Sequence, residues 1–146
     1  MPFKDVAGNA DSVGIAKAYG LNIAVGFSDE EFAPNLRLTR EEMATMLCRV
    51  IKKYRFADWT FATDAQYYLD TSGVKSFADD RDISEWAKPS VYYMAKMGII
   101  KGIGDNLFAP KATTPQQQAN GYATATREQA IALSMRVYNL AGMLQP

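Results

Sequence analysis

The sequence predicts an all-α fold, one pseudo-symmetric domain made of two tandem helix-loop-helix units, and three observations lead there. The stretch GFSDEEFAP at residues 26–34 returns as GIGDNLFAP at 102–110, with Gly26 matching Gly102, Asp29 matching Asp105 and Phe32 matching Phe108. The pair TREE (39–42) and TREQ (126–129) repeats the same relation, and apolar residues at helical spacing follow the first (Met43, Met46, Leu47, Val50, Ile51). The chain has 146 residues, 48% of them hydrophobic, which suffices for one buried core within a single domain.

In the first unit (3–54), Ile15, Ala18 and Tyr19 share one face of an opening helix. A glycine-containing loop ends in Phe32-Ala33-Pro34; the phenylalanine reads as a core plug, and the proline bars continuation of a preceding helix. The second helix starts after Thr39, which with Glu42 forms a capping-box pattern, each side chain serving the other residue's orphan N–H. Cys48 sits on the apolar face of that helix and reads as core filler, since a single cysteine can form no internal disulfide. Residues 55–76 connect the units. Too apolar and aromatic for a free linker, they are expected to pack across the domain, with a strand-like piece near Tyr67 to Leu69.

The second unit (77–141) repeats the order. Val91, Met94, Ala95 and Gly98 share a helical face after a start signal at Ser84, and Pro89 implies that the regular helix begins a few residues later. The offset between the copies then grows from 76 to 87, an insertion of 11 residues near 112–122. The capping pattern returns as Thr126 with Gln129.

Sixteen basic and sixteen acidic residues cancel, so the basic footprint of a nucleic-acid binder is absent. The chain contains no histidine, which removes the commonest general base and metal ligand; no metal, no cofactor and no enzyme activity are expected, the enzyme alternative being paired carboxylates such as Asp79 with Asp105 or Glu128 in glycoside chemistry. No apolar run approaches the roughly 18 residues that span a bilayer.

Each Thr-Arg-Glu places an arginine at the positive end of a helix macrodipole, a position that calls for a compensating anion. The anion is either internal, from Glu41, Glu128, Asp29 or Asp105, or external, since free N–H groups beside a guanidinium form a carboxylate receptor. Trp86 poses a parallel choice between core packing and an indole face offered to a sugar ring.

The ordered set FAD (77–79), EWA (85–87), GIIKG (98–102), GDNLFAP (104–110) and TREQ resembles the S-layer homology (SLH) family, and FKDV (3–6), NIAVG (22–26), DEEFAP (29–34) and TREE resemble the same pattern. Two repeats are visible where the family usually has three. The resemblance implies helical repeats around a pseudo-symmetry axis, an extracellular place at the bacterial cell surface or cell wall, and a non-catalytic anchor for secondary cell wall polysaccharide. It further implies recognition of a pyruvylated sugar by the arginines. The expected ligand set is Arg127 with Trp86, Gly102, Asp105 and Glu128 as the better-equipped site, and Arg40 with Gly26, Asp29 and Glu41 as the weaker. The alternative is an SLH-like structural or protein-interaction domain with decayed sugar pockets. A monomer is expected, with 55–74 covering the apolar face that a missing third repeat would leave and a dimer as the alternative. The segment reads as a piece of a larger exported protein, whose signal peptide would lie outside it.

Overall fold

In the computed structural model, residues 1–100, 102–111, 115 and 125–144 are described; the expected insertion at 112–122 lies outside them but for Pro115, as do the side chains of Thr126 and Gln129 that would form the second capping box. Among the described residues four α-helices carry the fold: α1 (Ser12–Gly20), α2 (Arg40–Arg55), α3 (Lys88–Lys96) and α4 (Arg127–Leu144). Two short strands, β1 (Arg37–Leu38) and β2 (Ala125–Thr126), precede α2 and α4 and pair antiparallel, Arg37 opposite Thr126. The fold is all-α, with this single short ladder as its sheet among the described residues.

Local chemistry accounts for the helix limits. The capping box at α2 forms as expected, with Thr39 Oγ1 accepting from the Glu42 N–H and Glu42 Oε2 accepting from the Thr39 N–H, both at 3.2 Å. Glu41 and Glu42 then stand in the first turn and Lys52, Lys53 and Arg55 in the last, matching the macrodipole at both ends. Helix α3 starts at Lys88 with Pro89 in its first turn, where a missing N–H is harmless.

The two units exchange partners. Helix α2, from the first, packs against α3 of the second, and α4, from the second, packs against α1 of the first, while α2 and α4 meet in the middle. The backbone repeats the exchange at each helix start: the Glu41 N–H donates to the Pro110 carbonyl at 3.0 Å, and the Glu128 N–H donates to the Pro34 carbonyl at 2.9 Å. Orphan amides of each long helix are thus satisfied by the Phe-Ala-Pro loop of the other unit. One half of the core gathers Phe3, Ile15, Ile23 and Phe32 with Ile131 of α4 and Val50 of α2. The other half gathers Ile83, Val91, Met94 and Phe108 with Leu47 and Cys48 of α2. The two units close on each other in this way.

The connection is ordered, packed through a buried Trp59 whose Nε1 donates to Asp64 Oδ1 at 2.7 Å, while Lys52 Nζ reaches the same oxygen at 3.0 Å. Arg49 lies over the Phe61 ring at 4.6 Å. The strand expected near Tyr67 to Leu69 does not form. Phe61–Gln66 is a short 3-10 helix, and Tyr67 then runs extended without a neighbouring strand, its ring against Phe56 at 5.0 Å. Side-chain packing against α2 and the start of α3 holds this stretch where a strand was expected. No helix among the described residues is long and apolar enough to cross a membrane.

Candidate functional site

The two Phe-Ala-Pro loops are built alike. Asp5 of FKD accepts from the Phe32 and Ala33 N–H groups at 2.9 and 2.7 Å, and Asp79 of FAD accepts from the Phe108 and Ala109 N–H groups at 2.9 and 2.8 Å. Each clamp holds an alanine in the left-handed region, φ 59° at Ala33 and 57° at Ala109, a conformation an alanine would otherwise avoid. Gly26 and Gly102 are needed for space: a Cβ on Gly26 would collide with the Phe3 ring and the Ser28 carbonyl, and one on Gly102 would lie 2.6 Å from the Leu107 carbonyl oxygen. Neither carboxylate was read from the sequence as a loop clamp, Asp79 having been weighed only as a catalytic acid, although the repeated Phe-x-Asp was the signal for both.

The Asp5 clamp gives the first loop an acid sensitivity. The Phe32 N–H foremost, with the Ala33 N–H and Arg127, lowers the carboxyl from its ordinary value of 3.8. A folded pKa below the unfolded one contributes stability that is present above the unfolded value and lost as pH falls through the folded value. Thermal unfolding between neutral pH and about pH 2 is therefore expected to show a decline beginning near pH 4, part of which Asp5→Asn removes.

The exchange of helices decides which loop each arginine serves. Arg127 lies over the Phe32 ring at 4.4 Å and its Nη2 donates to the Val25 carbonyl at 2.6 Å. Arg40 lies over Phe108 at 4.9 Å and its Nε donates to the Phe108 carbonyl at 2.8 Å. The expected set of Arg127 with Gly102 and Asp105 is therefore corrected: Arg127 belongs with the Gly26 and Asp29 loop, and Arg40 with the Gly102 and Asp105 loop. Burial is the main influence lowering both guanidinium pKa values, opposed by Asp79 for Arg40 and by Glu42 and Asp5 for Arg127. Both stay charged near neutrality.

Two of the internal counter-anions proposed from sequence, Glu41 and Glu128, are engaged elsewhere. Glu41 is buried and accepts from the Ser84 N–H and hydroxyl, both at 2.8 Å, with Lys111 Nζ at 3.7 Å. Glu128 accepts from Asn9 Nδ2 at 3.2 Å. Each glutamate thus fastens the start of the other unit, a structural task. Asp105 and Asn106, at φ 52° and 56°, form an exposed tight turn, and Asp29 is exposed in its own turn. Trp86 is 59% exposed, which rejects the core reading, and it lines a groove with Tyr67, Tyr68 and Lys52 beside the connection. Among the described residues the buried Nε of Arg127 has no hydrogen-bond partner, as is also true of Arg49 Nε.

The family model of the S-layer homology domain matches residues 2–44 and 76–119, more than half of the chain. The chain belongs to the S-layer homology family. An amylopullulanase of Thermoanaerobacterium thermosulfurigenes is 33% identical over 118 residues, covering 80% of this chain and 6% of the relative. The exoglucanase XynX of Acetivibrio thermocellus is 35% identical over 105 residues, covering 72% of this chain and 9% of the relative. A cell surface protein of Thermoanaerobacter kivui is 27% identical and covers 81% of this chain and 14% of its own length. The chain thus spans a small fraction of each of these relatives. No solved structure matches it.

Proposed function

We propose that this domain is a non-catalytic anchor, holding an exported protein to a secondary cell wall polysaccharide through the carboxylate of a pyruvylated sugar. The observation that carries this reading is Arg127, a half-buried guanidinium seated on Phe32 beside the Gly26 loop, whose Nε has no hydrogen-bond partner among the described residues. Leaving a charged donor unsatisfied is costly, and an arriving carboxylate would satisfy it with a charge-assisted bond. Arg40 is the second candidate, on the Gly102 loop. The domain acts as a monomer on this reading, because the two units cover each other within one chain. Sedimentation with purified wall polymer tests the proposal. The protein should pellet with intact polymer and stay in the supernatant once mild acid has stripped the pyruvate. Equal pelleting with stripped polymer would overturn pyruvate recognition, and no pelleting with either would favour a scaffold that binds protein.

A further inference from the structure

The connection, which lies outside both matched repeats, builds a groove of its own. It runs over α2 and the start of α3, encloses about 230 Å³, and has Trp86 and Tyr68 at its rim, 59% and 83% exposed. Tyr67, Asp64, Glu85 and Ser90 complete the part of the lining that bears on binding. Exposed large rings are expensive to leave in water without a use, and two of them share this one groove.

We propose that this groove is a second carbohydrate site, which takes an uncharged sugar ring by stacking and uses neither arginine. Three features favour a sugar. Two aromatic faces suit the C–H face of a pyranose, while carboxylates such as Glu85 accept from the hydroxyls at its edge. Each charge in the lining has a partner, Lys52 with Asp64 at 3.0 Å and Glu85 with Lys88 at 2.9 Å, so none stands alone to ask for an ionic ligand. The volume falls below the roughly 300–1,000 Å³ that encloses a drug-sized molecule, which fits one ring held in the groove with its neighbour lying along the surface.

The rim is also fixed before any ligand arrives. Tyr67 packs on Phe56 at 5.0 Å, Leu69 packs against the core, and Asp70 is tied to Lys96 at 2.8 Å and to the Ser72 N–H at 2.9 Å. The backbone at Tyr68 is therefore held on both sides, and its main chain has little freedom left to lose on binding. A polymer chain could lie across this groove while a charged sugar elsewhere on it meets an arginine, which would raise avidity without new contacts at either site.

Calorimetric titration of the whole chain with cellobiose and with N,N′-diacetylchitobiose is the test. At least one should bind with a dissociation constant on the order of 1 mM, the strength expected of a few contacts on two rings. Emission should shift to the blue at the same time, since Trp59 is buried already and Trp86 is the tryptophan left to be covered. Trp86→Ala and Tyr68→Ala should each weaken binding by about tenfold, with thermal unfolding unchanged because both rings are exposed. Absence of heat and of any emission shift with both sugars would overturn the proposal, as would full-strength binding in both variants. Neither probe carries a carboxylate, so such a failure would leave the pyruvate reading standing.

Discussion

Phe32→Ala is expected to lower stability by about 3–5 kcal/mol, measured as a drop in the denaturation midpoint at constant slope. The ring is fully buried, packs against Phe3 at 5.5 Å, and carries the Arg127 guanidinium on its other face. Truncation would open a cavity between a loop of the first unit and a helix of the second, and the surrounding backbone is held by the Asp5 clamp, so collapse into the void is hindered. Against a total of about 5–15 kcal/mol for a domain, that loss is a large share. Phe108→Ala should behave alike, since Phe108 is equally buried, packs on Phe77 at 5.3 Å and carries Arg40. Because each phenylalanine joins both units, either variant should unfold the whole domain in one transition. Two separate transitions, or a loss under about 1 kcal/mol, would contradict the exchanged packing.

What could be read in advance was what neighbouring residues decide between themselves. The capping box at Thr39, the delayed start of α3 at Lys88, the buried Phe32, Phe108 and Cys48, and the packed connection all follow from local pattern. Partner choice was not legible, and the repeat itself is the reason. Two loops with nearly the same sequence offer nearly the same seat to either arginine, so nothing local says whether Arg127 sits on Phe108 or on Phe32. Glu41 and Glu128 were misplaced for the same reason, as their partners Ser84 and Asn9 are in the opposite unit. Trp86 was grouped with a loop because it belongs to the repeated motif, whereas its groove is made by the unrepeated connection.

Arg127→Ala should remove most of the affinity for pyruvylated wall polymer, about 2 kcal/mol or roughly thirtyfold in dissociation constant, while Arg40→Ala should have a smaller effect. The ranking rests on donors. Arg40 directs its Nε to the Phe108 carbonyl, whereas the Nε of Arg127 has no hydrogen-bond partner. A carboxylate at Arg127 therefore satisfies a group that is otherwise buried at a penalty, whereas one at Arg40 meets a guanidinium whose Nε is already bonded. Arg127→Lys should recover little, since a point charge replaces a planar fork stacked on Phe32. The contact involves one localised anion and a chain of net charge zero, so affinity should fall only modestly as salt rises from about 50 to 500 mM, unlike a site that neutralises many charges. It should also stay nearly flat between about pH 6 and 8, because the chain has no histidine and both arginines remain charged there. A binding titration across these variants would reverse the ranking if Arg40→Ala proved the more damaging. Equal losses at the two would instead mean that both loops hold a sugar, and that Nε of Arg127 is satisfied by water in the free protein.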